Sequence, residues 1–353
     1  MKKSIWEYSP DELRLLMEEA GAPRYRSRQL MHYLYQQKET SFANMLLLPR
    51  ELREFLHLRT ELKIPEVVKK QTSSDKKTTK ILLRMEDGAL VETVCMHHIY
   101  GNSVCVSTQV GCAMGCIFCA STLKGKERNL TAGEMMSQVY AFLRNGVRRI
   151  HSIVLMGAGE PLDNYEESLR FIRQCHEPDV LDMSYRNITL STVGIIPGIR
   201  RLAEEKLPIT LAVSLHAPND AIRNRILPAS RRYPMKDLLE AVSDYVKTAG
   251  RRVTFEYILI SGVNDGAEQA EQLGEIARRI HCHINLIPVN GNEHIRLFPP
   301  DEASLQRFHN ILVKSRRSVT TRRKMGDEIQ AACGQLKRRY QSEEPQIDGP
   351  EAK

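Results

Sequence analysis

From residue 150 onward the chain alternates short apolar runs with amphipathic stretches, and no other feature limits the fold so much. Strand candidates fall at 150–156, 187–193, 208–216, 253–260 and 283–289. Between them lie stretches such as 235–248 and 267–280, whose apolar residues recur at helical spacing. Consecutive parallel strands need a helical crossover, so this alternation predicts a mostly parallel sheet, open or closed into a barrel. The runs are largely apolar, which predicts strands covered on both faces. In a barrel of this type, chemistry gathers where strands end and loops begin.

Upstream the pattern differs. Ser9-Pro10-Asp11-Glu12 is a capping box with proline at the first helical position. Leucines and basic residues follow at helical spacing, so 1–64 is expected to be a small helical accessory domain. Pro65 and the polar run KQTSSDKKTTK at 70–80 break that pattern. ILLRM and ALVETVCM then read as strands joined by an Asp87-Gly88 hairpin, giving a short β linker over 65–100. The core is expected over 101–340, and 341–353 as a disordered tail.

Composition excludes several classes. No apolar run reaches the ~18 residues of a membrane span, and MKKSIWEYSPDE has no apolar segment after its lysines, so no membrane association and a cytoplasmic location are expected. Lys and Arg total 51 against 43 Asp and Glu, a net charge of +8. The excess sits in clusters such as Lys69-Lys70, Arg231-Arg232, Arg251-Arg252 and Arg322-Arg323-Lys324, which favours a polyanionic partner through counterion release or simply gives a solvated surface.

The 8 cysteines are too uneven for a disulfide scaffold. Cys112, Cys116 and Cys119 form a C-x3-C-x2-C run, close enough to ligate one centre from one loop. Thiolates suit zinc or iron–sulfur. A closed structural site wants four ligands, and no fourth follows at zinc-finger spacing. Three thiolates on a 4Fe-4S cluster leave one iron open, where S-adenosylmethionine (SAM) can bind through its amino and carboxylate groups and be cleaved to a 5′-deoxyadenosyl radical. The protein's part in such chemistry is to position it. Phe118 would shield the cluster or the adenine. A zinc knuckle with a distant fourth ligand, or buried free cysteines, are the alternatives.

The loop GCAMGCIFCASTLKGKERNL resembles that of the RlmN/Cfr family of radical SAM adenine methyltransferases. The resemblance extends through YGNSVCVSTQVGC, GEPLDN, ITLSTVGIIP, AVSLHAPND, RRVTFEYILISGVNDG, INLIPVN and AACGQL, in order from about Glu7 to Leu336. It implies a partial (βα)6 radical SAM barrel. Cys333 would be methylated by a first SAM, and a second SAM, two per turnover, would supply the radical that activates that methyl group. Cys105 would resolve the protein–RNA adduct through a transient disulfide. Glu92 would be the proton acceptor. On local pattern Glu92 shares a strand face with Leu90, Val94 and Met96, where a carboxylate should have a raised pKa.

Gly159, Glu160, Ser191, Ser214, Leu215, His216 and Asn290 match positions lining the family's SAM pocket. Unaided, the glycine would let backbone approach a ligand and Glu160 could accept from the SAM amino group. LMGAGEPL is no dinucleotide fingerprint, since Leu162 stands in place of the third glycine. The activity implied is C2-methylation of adenosine 2503 in 23S rRNA and of adenosine 37 in tRNA. An external electron donor such as flavodoxin would be required. C8-methylation of the same rRNA adenosine, as in Cfr, and a non-catalytic metal-stabilised RNA-binding protein are the competing readings. The sequence departs from the family pattern at Ala158, Ala229, Ser230, Glu328 and Gln330.

Purified without oxygen, the protein should be brown and hold about four irons. A colourless protein with stoichiometric zinc and no iron would end the radical reading.

Overall fold

The computed structural model describes residues 2–290, 296–315 and 318–322. Cys333, Glu328, Gln330 and the C-terminal tail lie outside the described residues. In chain order the elements are β1 (Lys3–Ser4), α1 (Pro10–Glu19), α2 (Arg26–Met31), α3 (Arg50–Arg59), β2 (Thr60–Glu61), β3 (Glu66–Thr72), β4 (Thr78–Arg84), β5 (Leu90–His98), β6 (Gly101–Cys105), β7 (Gln109–Gly111), β8 (Lys126–Asn129) and α4 (Ala132–Arg144). Then come β9 (Ile150–Leu155), α5 (Tyr165–His176), β10 (Ile188–Thr192), α6 (Ile196–Glu204), β11 (Thr210–Ser214), α7 (Asp220–Ile226), α8 (Met235–Ala249), β12 (Val253–Leu259), α9 (Ala267–Arg279), β13 (Cys282–Pro288), α10 (Glu302–Lys314) and β14 (Ser318–Thr321).

One ten-stranded sheet runs β14-β13-β12-β11-β10-β9-β6-β5-β4-β3. Every pair from β14 to β6 is parallel, and the pairs β6–β5, β5–β4 and β4–β3 are antiparallel. The units β6-α4, β9-α5, β10-α6, β11-α8, β12-α9 and β13-α10 make the six strand–helix repeats, and β14 adds a further parallel strand. Laid flat, β6 and β14 would stand roughly 29 Å apart at the spacing of paired strands. Yet the guanidinium of Arg322, just past β14, lowers the pKa of the Cys105 thiol at the end of β6. It also acts on Glu256 in β12. The sheet therefore curls until its ends face one another across a lumen.

Register shows which side chains enter that lumen. Val94, Cys105, Val154 and Thr189 are successive neighbours across four strands. One step up, Ser191, Ala212, Thr254, His283 and Ser318 form a row, and Ser214, Glu256, Asn285 and Thr320 form the next. The intervening residues, among them Val104, Ile153, Leu190, Leu211, Phe255 and Ile284, are buried in the main apolar core with the helices. The two faces differ: the outer face is apolar, and the inner face carries hydroxyls, an acid, an amide and an imidazole.

The N-terminal helices share that core. Ser9 and Glu12 form the capping box, with the Glu12 amide 3.2 Å from Ser9 Oγ and the Ser9 amide 2.6 Å from Glu12 Oε2. Trp6 packs on Tyr140 of α4 with ring centroids 4.6 Å apart and on Tyr35 at 5.5 Å. Its indole N–H donates to the Lys63 carbonyl at 2.9 Å. The polar run that breaks the helical pattern holds the turn between β3 and β4. Ser73 Oγ accepts from Thr78 N at 2.9 Å there, and Lys80 lies inside β4, fully buried. Among the described residues no helix is long and apolar enough to cross a membrane.

Trp6→Ala should cost about 3–5 kcal/mol, the range for emptying a buried aromatic site. Urea unfolding followed by far-ultraviolet circular dichroism measures it, and a loss below about 1 kcal/mol would show that other contacts dock the N-terminal helices.

Candidate active site

The three cysteines occupy the loop between β7 and β8, a small antiparallel ladder that acts as its neck. Cys112 N donates to the Gly125 carbonyl at 3.0 Å. Gly111 has φ +76°, and a Cβ there would lie 2.0 Å from the Gly125 oxygen, so the neck closes only on glycine. The far end of the loop is tied down where Ile117 N donates to the Ile226 carbonyl at 3.1 Å, at the end of α7. Burial pushes the Cys112 thiol up to about 11 and raises those of Cys116 and Cys119. Backbone N–H groups point at the sulfurs: Met114 at Cys112, and Ser121 and Thr122 at Cys119.

Facing this loop is the carboxyl edge of the parallel strands. After β9 the GAGE turn folds against residues 107–109. Gly159 has φ +110°, and a Cβ there would sit 2.7 Å from Gln109 N. The glycine is needed for this backbone contact, where the sequence suggested approach to a ligand. Glu160 is buried, and both its oxygens already accept: Oε1 from Leu162 N at 3.0 Å and Oε2 from Val193 N at 2.7 Å. Burial raises its pKa to about 7 against these hydrogen bonds. Each carboxylate oxygen has two lone pairs, so capacity for a ligand's ammonium remains.

Ser191 lies at the end of β10 and Ser214 at the end of β11, both half-buried on the lumen face. Leu215 and His216 follow and are buried. His216 has φ +59° and accepts from Ile258 N at its Nδ1, 3.0 Å away. Burial drives its pKa down to about 3, so the ring is neutral. Phe118 of the cysteine loop meets this imidazole edge-on, with centroids 4.8 Å apart. Asn290 lies just past β13 and is exposed. The candidate residues thus share one edge. Ala158 sits in the same turn, its amide donating to Ser107 Oγ at 2.9 Å. Ser230 is buried and bonds the Leu227 carbonyl at 2.7 Å, beside Ala229 in the turn after α7.

Glu92 and Cys105 open onto the lumen. Glu92 does not stand alone among apolar side chains: Lys80 Nζ is 2.8 Å from its Oε2. Burial pushes the Cys105 thiol up to about 11, while Arg322 and Lys80 pull it back and Glu92 adds to the rise. The Glu92 charge also reaches Cys119 of the loop. Sequence reasoning missed Lys80, Arg223 and Glu256. Arg223 is wholly buried beneath the edge. Its Nη2 donates to the Val193 carbonyl at 2.6 Å and Nε to the Leu215 carbonyl at 3.2 Å, leaving Nη1 without a partner. Burial lowers its pKa to about 10, offset by Asp220 and Cys116. A basic residue inside a helix such as α7 reads as solvated, so no sequence signal marked it. The signal for Glu256 is its parity with Thr254 on the strand.

The Radical SAM superfamily model matches residues 106–274, and the Ribosomal RNA large subunit methyltransferase N-terminal domain model matches residues 4–62. A probable dual-specificity RNA methyltransferase RlmN from Desulforamulus reducens is 45% identical, over 97% of this chain and 97% of its own length. Its counterpart from Symbiobacterium thermophilum is 48% identical, over 94% and 91%. The crystal structure of a radical SAM methyltransferase from Sphaerobacter thermophilus superposes with a TM-score of 0.90 at 43% identity, covering 94% of this chain and 98% of that one. The chain belongs to the RlmN family of radical SAM methyltransferases.

Membership in the radical SAM class implies a 4Fe-4S cluster and SAM, and the residues present fit both. Among the described residues no group of three His, Cys, Asp or Glu converges closely enough to hold a single metal ion. Cys112, Cys116 and Cys119 are nonetheless near enough for their charges to act on one another. Three mutually coupled thiolates on one loop suit a multi-iron cluster, in which each thiolate binds a different iron. The N–H groups aimed at sulfur would stabilise the thiolates once iron displaces their protons. For SAM, the edge offers the buried Glu160 carboxylate and, beside Gly159, a buried Thr108 hydroxyl without a partner.

Glu160 generates a pH prediction for the cofactor-free protein. Its folded pKa of about 7 lies above the ordinary value of 4.5. The native state therefore holds this proton more tightly than the unfolded chain, and the resulting stability is full at low pH and lost as pH rises through 7. Glu160→Gln should remove on the order of 3 kcal/mol of the fall in stability from low pH to above 7. Urea melts of both proteins across that window measure it, and superimposable slopes would refute the shift.

Proposed function

We propose that this enzyme methylates C2 of adenosine 2503 in 23S rRNA and of adenosine 37 in tRNA, through a methyl group carried on Cys333. The observation that carries this reading is a single lumen face. Glu92 and Cys105 lie on it together, and the Glu92 charge reaches both Cys105 and Cys119 of the cluster loop. The names of the relatives, dual-specificity RNA methyltransferases, support RNA as the substrate class, as does a net charge of +8.

The cluster with SAM bound supplies a carbon-centred radical, and a further SAM supplies the methyl group. Glu160 would hold the SAM amino group at the edge, with Ser191, Ser214, Leu215, His216 and Asn290 around it. Phe118 and the neutral His216 would keep water from the cluster side. Cys333 would present the activated carbon to the adenine. Glu92 would accept the proton leaving adenine C2. Cys105, as thiolate, would then attack the Cys333 sulfur. The S–S bond forms as the S–C bond breaks, and the bond pair leaves with the carbon, which takes a proton to become the new methyl group. Lys80 and Arg322 are the cations that favour this thiolate. The target base has to leave its stack to reach the lumen, so recognition rests on a presented nucleotide together with phosphate contacts.

Nucleosides from RNA of cells with and without the gene, read by mass spectrometry, test the reading. Gene-dependent 2-methyladenosine is expected, and 8-methyladenosine in its place would overturn it. In the same assay Cys333→Ala should abolish the product while iron content and SAM binding stay at wild-type levels.

A further inference from the structure

Among the described residues Lys80 is the one buried lysine. Its side chain is 0% exposed, that of Glu92 is 5% exposed, and Nζ stands 2.8 Å from Oε2. Strand register puts Lys80 opposite Val94, and Val94 opposite Cys105. Lys80, Glu92 and Cys105 therefore point to one side of the sheet, the lumen. The same hairpin shows what a merely structural solution looks like. On its outer face Ile81 and Leu83 of β4 and Val91 of β5 are fully or almost fully buried and apolar. A buried ion pair is commonly no more stabilising than apolar residues of the same volume, because desolvating both charges offsets their attraction. The pair is confined to the face where chemistry is placed, so stability does not account for it.

We propose that Lys80 is a positioning residue of the methyl-transfer reaction: its ammonium holds the Glu92 carboxylate in the lumen on the face it shares with Cys105, where it can take the adenine proton. The inference rests on the reading of Glu92 as the base. In the step concerned, the radical adduct gives up its unpaired electron to the enzyme's one-electron carrier, the C2–H bond of the alkylated adenine breaks, its proton passes to a Glu92 oxygen, and the bond pair stays in the ring. Lys80 keeps its own protons and touches neither RNA nor cluster. The other titratable and charged groups acting at this place are Cys105 on β6, Cys119 on the cluster loop and Arg322 beyond β14.

The test uses the iron-loaded full-length enzyme with RNA, in the variants Lys80→Met, Lys80→Arg, Glu92→Gln and the double variant Lys80→Met/Glu92→Gln. Three readouts are followed: methylation of Cys333 by peptide mass spectrometry, the covalent protein–RNA adduct on denaturing gels, and 2-methyladenosine formed. Lys80→Met should keep Cys333 methylation within about twofold of wild type, lose about 100-fold or more in product, and accumulate the adduct as Glu92→Gln does. Lys80→Arg, which keeps the charge, should recover at least about a tenth of the wild-type product rate. Adding Lys80→Met to Glu92→Gln should cost no more than about a further twofold. Parallel loss of Cys333 methylation and product in Lys80→Met, or a further large loss in the double variant, would make Lys80 structural and overturn the proposal. Should Lys80→Met not fold, the comparison of Glu92→Gln with the double variant decides, since the latter leaves no unpaired charge buried. Adduct in Glu92→Gln but none in a folded Lys80→Met sinks Lys80 alone. Wild-type enzyme that forms no 2-methyladenosine sinks the underlying reading of the function, and this inference with it.

Discussion

Successive side chains of a β-strand point to opposite faces, and in this molecule that alternation separates stability from chemistry. The parallel strands send Val104, Ile153, Leu190, Leu211, Phe255 and Ile284 outward into one apolar core that also holds the N-terminal helices. They send Cys105, Ser191, Ser214, Glu256 and Asn285 inward, and the antiparallel β5 adds Glu92 to the same side. A one-residue slip in any strand would exchange the two sets, burying the polar groups under helices and facing leucine into the lumen. The outer core is therefore what holds each inner side chain in place.

The carboxyl edge of the sheet adds the second constraint. Parallel strands leave the same end of every strand open, so loops after β6, β9, β10, β11 and β13 gather on one rim. The cysteine loop is pinned there at two points, by the glycine neck at Gly111 and by Ile117 on the end of α7. Glu160 is fixed by two backbone amides and made a poor anion by burial. Arg223 braces the rim from beneath, through the carbonyls of Val193 and Leu215. Rigidity at this rim is the protein's contribution to chemistry that a cofactor supplies.

How much of this was legible in the sequence depends on the range of the interaction that decides it. The capping box at Ser9 involves residues three apart, and it forms as the sequence indicates. The Asp87-Gly88 turn is equally local: Gly88 takes φ +84°, and Met85 N meets the Ala89 carbonyl at 2.8 Å. Lys80 was not legible, because it closes the polar run KQTSSDKKTTK, which shows locally only a break in the helical pattern. The turn in that run ends at Lys77, and the lysine three residues later is buried by a partner on the next strand. Glu92 misled for the same reason from the other side: its own strand shows only apolar neighbours, while its cation belongs to β4. Glu160 was legible as a functional carboxylate, yet the two amides that hold it come from Leu162 and Val193, and Val193 lies beyond the next helix.

By itself the sequence determined the class of fold, through strand–helix alternation, and singled out the candidate cluster loop, through three cysteines without a fourth. Both are properties of short segments, and local spacing is enough to specify them. Only the tertiary structure decided which cation meets which acid, which strand face is lumen, and that Arg322 at the end of the last strand acts on Cys105 at the end of the first strand of the parallel series. Those outcomes depend on how far the sheet curls and on which strands become neighbours. Electrostatic partners in a low-dielectric interior are chosen by distance in space, for which distance along the chain is no guide.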